Sequence, residues 1–226
     1  MRPTAFVFDA YGTLFDVSAA ARAAAAEPGG ETLAAVWPKL AEDWRRKQLE
    51  YSWLRAVMGA HADFAEVTAD ALDWAMAAQG LGADYALRTR LLALYDELDA
   101  YPEVPAVLQS LKDKGARRAI LSNGSPRMLA SAIAAAGIGD LLEAAISVED
   151  VGIFKPSAKV YALVEAHLGV PPSQVMFVSS NGWDVAGAAR FGFQTTWVNR
   201  SGAPIDRLPH VPAHILPDLT RLSDFL

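Results

Sequence analysis

The first group in this chain able to do covalent work is a carboxylate. Thr4–Phe8 reads as a short continuous apolar run that ends at Asp9, with Gly12 and Thr13 just behind it. Gly12 lets the backbone turn sharply and aim successive N–H groups inward. Such donors hold a carboxylate and an anionic ligand side by side. In that setting Asp9 is a nucleophile that forms an ester intermediate. The alternative is plain: a strand-end Asp that serves as a turn or cap residue.

Three further apolar runs end in polar residues. Leu121-Ser122-Asn123-Gly124-Ser125-Pro126 places Ser122 and Asn123 where they can donate to an anion, and the next helix N-terminus adds its dipole. They serve equally as helix caps. Lys155-Pro156 follows a third strand; Lys155 is either a functional ammonium or a solvated charge, with the backbone fixed beyond it by Pro156. Ser179-Ser180-Asn181-Gly182-Trp183-Asp184 closes a fourth run, where Asp184 is a second acid or a helix cap.

These tips need a scaffold. Thr4–Phe8, Ala119–Leu121, Val175–Val178 and Thr195–Val198 read as strands buried on both faces. Ala144–Val148 is a weaker fifth and His214–Leu216 a last edge strand. Helical patterns lie between them at Val104–Lys114, Pro126–Ala136, Ala158–Leu168 and Asp184–Arg190, with glycines near their ends. The alternation predicts an α/β fold with a doubly wound parallel sheet, whose ligands bind at the carboxyl ends of the strands.

One region breaks the alternation. Ala19–Ala26, Thr32–Met58, Phe64–Ala78 and Tyr85–Leu98 all read as helices, and Pro38 must mark a start or a break. The expectation is a core of residues 1–16 and 101–226 with a helical cap subdomain, 17–100, inserted after the first strand. No Pro/Gly/Ser-rich linker suggests a separate domain instead.

Composition removes several classes. Of 226 residues, 52% are hydrophobic, too many for a disordered chain. Zero cysteines exclude a disulfide scaffold and a thiolate nucleophile. The formal net charge of −6 argues against a nucleic-acid partner. No apolar stretch is long enough to span a membrane. Met1–Phe8 is too short for a signal peptide, so a cytoplasmic location is expected, which makes the Asn199-Arg200-Ser201 glycosylation pattern irrelevant. His61, His167, His210 and His214 lack ligand spacing, and no metal or cofactor is expected.

Taken together, Asp9-x-x-x-Thr13, Ser122-Asn123, Lys155-Pro156 and the terminal Asp184 resemble the haloacid dehalogenase superfamily. The likeness covers nearly the whole chain, including the helical insert. Phosphatases of that superfamily carry an Asp two residues after the nucleophile to protonate an alkoxide, and an acidic cluster for magnesium. Here the first position is Tyr11, and Ser179, Ser180 and Asn181 occupy the other turn. A halide leaves as a weak base and needs no such acid. Trp44-Arg45-Arg46-Lys47-Gln48-Leu49-Glu50-Tyr51 and the four strand-end segments are similar to the L-2-haloacid dehalogenase branch. Members of that branch hydrolyse short 2-haloalkanoic acids without metal.

The resemblance implies roles. Asp9 attacks C2, and Arg45 meets the departing halide, although Arg45-Arg46-Lys47 by itself reads as a solvated cluster. The Ala10 and Tyr11 N–H groups, Ser122 and Asn123 bind the substrate carboxylate. Thr13 and Lys155 orient Asp9. Asp184, supported by Ser179 and Asn181, positions or activates water, and Tyr161 lies close by. Tyr11, Leu49, Phe64 and Trp183 form an apolar wall; Leu49 and Phe64 serve equally as core. Arg46, where the family often has Gln, and Ala10, where it often has Leu, depart from the pattern. The alternatives are a phosphatase or phosphonatase of the same superfamily and a non-catalytic binding protein. The expected partners are a small 2-haloacid and a second copy of the chain, in a homodimer through the cap helices.

Overall fold

The computed structural model describes residues 2–226. Six strands, β1 (Ala5–Phe8), β2 (Arg117–Ser122), β3 (Ala144–Ser147), β4 (Val175–Ser179), β5 (Gln194–Val198) and β6 (His214–Leu216), form one sheet. Their order is β3-β2-β1-β4-β5-β6, and every pair is parallel. The doubly wound expectation holds. β1 lies centrally, with Phe8 opposite Ile120 on one side and Val178 on the other. All four of its residues are fully buried, which explains the uninterrupted apolar run. The chain reverses its winding direction between β1 and β4, so a crevice opens outside their carboxyl ends.

Five helices separate β1 from the rest of the sheet: α1 (Ala19–Ala26), α2 (Glu31–Ala34), α3 (Trp37–Met58), α4 (Phe64–Ala78) and α5 (Tyr85–Asp96). The expected Thr32–Met58 helix is in fact two, α2 and α3. Pro38 sits in the first turn of α3, where a missing N–H breaks no hydrogen bond. The Tyr85–Leu98 expectation ends early, at Asp96. The chain leaves and re-enters the sheet side by side. The Asp16 N–H donates to the Asp99 carbonyl, the Tyr101 N–H donates to the Leu14 carbonyl, and Phe15 and Ala100 form an antiparallel bridge.

Four helices then flank the sheet: α6 (Val104–Asp113), α7 (Pro126–Ala135), α8 (Ala158–Leu168) and α9 (Gly182–Phe191). α9 begins two residues before the expected Asp184, which therefore lies inside the first turn. Gly187 lets α9 lie against α8: a Cβ there would meet the Tyr161 hydroxyl at 2.5 Å. Among the described residues, no helix is long and apolar enough to cross a membrane.

Candidate active site

Four strand tips converge on Asp9. Gly12, at φ +90, turns the chain after β1 in a conformation that a side chain would strain. Asp9 remains 6% exposed at the floor of the crevice. Lys155 is fully buried, which overturns the solvated-charge alternative. Its Nζ donates to Asp9 Oδ1 at 3.1 Å and to Asp184 Oδ2 at 2.8 Å. One ammonium thus bridges two carboxylates. Burial alone would lower the Lys155 pKa, but the charges of Asp184 and Asp9 outweigh it and hold the pKa above the ordinary lysine value.

The other oxygen of Asp9 is also held. Asn181 Nδ2 donates to Oδ2 at 3.0 Å. The Thr13 hydroxyl accepts from the Ser180 N–H at 2.8 Å and turns its proton toward the same oxygen at 3.2 Å. The carboxylate therefore sits in one orientation with three donors.

Asp184 is fully buried and does not cap its helix. Burial pushes its pKa up, with Asp9 adding repulsion, while Lys155 and Tyr161 pull it down; the net direction is upward. Tyr161 donates to Asp184 Oδ1 at 2.7 Å, and burial keeps the phenol itself well above its ordinary pKa. The expected support of Asp184 by Ser179 and Asn181 needs correction. Ser179 Oγ accepts from the Asn181 N–H at 3.1 Å, and Asn181 reaches Asp9 instead. Asp184 is braced by Lys155 and Tyr161, because α9 rises from the turn and carries it behind the nucleophile.

Ser122 and Asn123 do not cap α7, whose N-cap is Ser125. The buried Ser122 hydroxyl accepts from the Gly124 N–H at 3.0 Å. Asn123 Oδ1 accepts from the Lys155 N–H at 3.0 Å. With its oxygen engaged, the Asn123 NH2 end is the part left to donate. Ala10 is buried directly after the nucleophile.

Arg45 crosses from α3 to these tips. Its Nη2 donates to the Tyr11 carbonyl at 3.0 Å and to Asn181 Oδ1 at 3.4 Å, and its Nη1 donates to Gln48 Oε1 at 2.8 Å. Arg46 points the other way. It pairs with Asp43 at 3.1 Å and Glu50 at 3.4 Å, and lies 5.1 Å over the Trp74 ring. The Tyr11 ring stacks on Tyr95 and meets Phe64 at 6.1 Å. Trp183 packs edge-on against Trp53 at 5.3 Å. Leu49 is half-buried and joins the Arg45 side of α3 through helical spacing alone. Among the described residues, the Tyr11 hydroxyl and the Trp183 indole N–H are buried with no hydrogen-bond partner.

Sequence reasoning missed several supports. The Ser180 N–H orients Thr13 from the turn between Ser179 and Asn181. Gln48, three residues after Arg45, holds it; helical spacing was the available signal. Arg200 donates to the Thr13 carbonyl at 3.0 Å and stacks 3.7 Å over Tyr101. Its sequence surroundings gave no such hint. No cluster of three or more His, Asp or Glu side chains among the described residues is placed to hold a metal ion.

Comparisons with known proteins identify the family. A family profile described as haloacid dehalogenase-like hydrolase matches residues 3–192. The chain is 43% identical over 222 residues to (S)-2-haloacid dehalogenase 1 of Pseudomonas sp. (strain CBS-3), covering 98% of this chain and 96% of that one. It is 48% identical over 198 residues to (S)-2-haloacid dehalogenase of Xanthobacter autotrophicus, covering 87% and 75%. A solved structure of L-2-haloacid dehalogenase from Xanthobacter autotrophicus, with chloropropionic acid covalently bound, superposes with a TM-score of 0.86. That match has 41% identity over 98% of this chain and 97% of the other.

Proposed function

Because the chain belongs to the haloacid dehalogenase-like hydrolases, with full-length (S)-2-haloacid dehalogenases among its relatives, we propose that Asp9 opens the carbon–halogen bond of short L-2-haloalkanoic acids. The product is the 2-hydroxy acid. One observation carries the reading: a triply held Asp9 faces an arginine whose three acceptors are all uncharged. That pairing suits a carboxylate nucleophile and an anionic leaving group.

The reaction has two steps. An Asp9 oxygen attacks C2 in line, the carbon–halogen bond breaks, and its electron pair leaves with the halide toward Arg45. A fixed cation aimed at developing negative charge stabilises the transition state. Ser122, Asn123 and the Ala10 and Tyr11 N–H groups hold the substrate carboxylate. In the second step Asp184 takes a proton from water, whose oxygen attacks the Asp9 ester carbonyl. The acyl–oxygen bond breaks, the product oxygen takes up the proton from Asp184, and Asp9, now carrying one oxygen from water, releases water's second proton to solvent and is restored as a carboxylate. The raised Asp184 pKa makes it a stronger base than an ordinary aspartate. Lys155 compensates both carboxylates throughout, and Thr13 and Tyr161 orient them.

Tyr11, Phe64 and Trp183 surround the halogen and alkyl group, with Leu49 beyond them. The unpartnered Tyr11 and Trp183 donors mark where a ligand acceptor would be satisfied. Tyr11 stands where an alkoxide-protonating acid would be needed, and its pKa is pushed well up by burial, so it is a poor acid for ester-phosphate chemistry. Phosphate esters with magnesium are the control substrates for that alternative.

Residues 17–100 form the cap subdomain in this reading, supported by the paired crossings at Asp16–Asp99 and Leu14–Tyr101. The chain pairs with a second copy through the cap, supported by the exposed Leu54, Val57 and Met58 at the end of α3. Light scattering on wild type and Val57→Lys tests the dimer. The reading places the enzyme in the cytoplasm, which fractionation of the source cells tests. The function itself is tested by chloride release from racemic 2-chloropropionate in the presence of EDTA. Release that stops near half conversion is expected. No release from chloro-, bromo- or fluoro-acids overturns the reading.

A further inference from the structure

Arg45 and Arg46 adjoin on α3 and are held in opposite ways. Arg46 is paired with two carboxylates. Arg45 is held by an amide oxygen, a backbone carbonyl and a second amide oxygen. Its direction is fixed while its charge is not cancelled. The strongest of these contacts by distance is Gln48 Oε1, at 2.8 Å.

Gln48 is 1% exposed, so its amide must be satisfied inside the protein. The surroundings decide which end faces Arg45. The Thr68 hydroxyl donates to the Phe64 carbonyl at 2.7 Å, so toward Gln48 it can only accept. Gln48 Nε2 therefore donates to Thr68 Oγ1, at 2.7 Å, and to the Tyr95 hydroxyl, at 3.1 Å. The oxygen end accepts from Arg45 at 2.8 Å, with the Tyr95 hydroxyl 3.3 Å from the same oxygen. Tyr95 in turn stacks on Tyr11 with ring centroids 5.6 Å apart, and the Tyr11 carbonyl accepts from the other arm of the same guanidinium. A buried chain of neutral groups thus runs from α4 and α5 to both arms of Arg45 and ends beside the nucleophile.

We propose that Gln48 is a positioning residue: it sets where the Arg45 charge sits and so how strongly a poor leaving halide is assisted. This rests on the haloacid reading above. A carboxylate at this position would keep the hydrogen bond and cancel the charge. An aliphatic side chain would leave one arm of the guanidinium unheld.

The test times single-turnover halide release from 2-chloro- and 2-bromopropionate. It compares wild type, Gln48→Leu, Gln48→Glu, Arg45→Ala and the double variant Gln48→Leu with Arg45→Ala, with folding checked by circular dichroism. Chloride is the poorer leaving group, so a displaced cation slows its release more. Gln48→Leu is expected to slow chloride release roughly 10- to 100-fold, the scale of a misplaced catalytic group, and bromide release visibly less. In the Arg45→Ala background the same change should have no further effect, because the pair acts as one unit. Gln48→Glu should weaken inhibition by bromide ion.

Equal slowing of both substrates, or the same slowing without Arg45, overturns the proposal. If Gln48→Leu does not fold, Gln48→Glu decides: unchanged bromide inhibition with an unchanged chloride-to-bromide ratio overturns it. An active wild type with indifferent variants counts against Gln48 alone. A wild type that releases no halide removes the haloacid reading and this proposal with it.

Discussion

The strand tips and the face of α3 above them handle charge by opposite rules. At the tips, Asp9 and Asp184 each lie within hydrogen-bond distance of Lys155, and all three are nearly sealed from water. Each charge there has an opposite partner, as buried ions require. On α3, Arg45 reaches the same crevice with neutral partners only among the described residues. In the proposed reaction the difference separates two tasks. A nucleophile must be held ionised and still, whereas a cation awaiting a leaving anion must keep its charge uncompensated.

The most severe way to break this arrangement is Asp9→Asn. Loss of halide release by about 10⁴- to 10⁶-fold is expected, as for other covalent nucleophiles, with the α3 face untouched. Halide electrode traces check it, and an active variant would shift the chemistry to directly attacking water. Asp184→Asn should separate the steps: one equivalent of halide released in a burst, then turnover slowed about 10²- to 10⁴-fold. Intact-protein mass spectrometry should find the ester on Asp9.

Lys155→Met attacks the pairing itself. It leaves two buried carboxylates without counter-charge, at a cost of about 3–5 kcal/mol. Urea unfolding should show the loss, and the loss should be smaller at acidic pH, where the carboxyls are protonated. The sign follows from linkage. In the wild type the Lys155 pKa is raised by the fold. Its stabilising contribution is therefore complete below the ordinary lysine value and fades as pH rises through the raised one. The Asp184 pKa is also raised. The fold thus favours its protonated form, and that contribution is present below the ordinary aspartate value and lost as pH rises through the raised one.

The proposed reaction has the opposite requirement, since in it Asp184 takes a proton from water only when ionised. The acid limb of turnover should lie above the ordinary aspartate range. Tyr161→Phe removes a donor to the Asp184 carboxylate and should move that limb to higher pH. An unmoved limb would mean that another group titrates. The smallest effect belongs to Arg46→Gln, with stability within about 0.5 kcal/mol of wild type and unchanged halide kinetics. A large kinetic effect there would erase the contrast between the two arginines.

Much of the scaffold was readable from local pattern. The fully buried β1 and β4 are runs of apolar residues because both faces of each strand are covered. α1, α4 and α8 end where the periodicity ends. The α2–α3 break was only half legible. Pro38 announces a start or an interruption, but residues 35 and 36 are ordinary helix formers or tolerated ones, and packing chose the break. The α9 start was misplaced because Gly182 and Trp183 look like loop residues, while the N-terminal turn closes through the Asn181 carbonyl. Asp9, Lys155 and Asp184 were legible as strand-tip residues. Their mutual distances were not, since they are 146 and 29 residues apart in sequence from their ion-pair partners.

The order of apolar runs and helical patterns, by itself, determined a parallel α/β sheet with an inserted helical region, because burial on both faces and on one stripe leave different periodicities. It also determined which residue types stand at the strand tips. Only the tertiary structure decided that Arg45 enters the crevice while Arg46 leaves it. Both stand in one charged cluster on one helix, and a turn of about 100° between neighbours sends one to neutral acceptors on the sheet side and the other to Asp43 and Glu50. It also decided that Asn181 braces the nucleophile rather than Asp184, and that Gln48 faces Arg45 with its oxygen. Those outcomes depend on which donors and acceptors meet across distant segments, and local sequence carries no record of that.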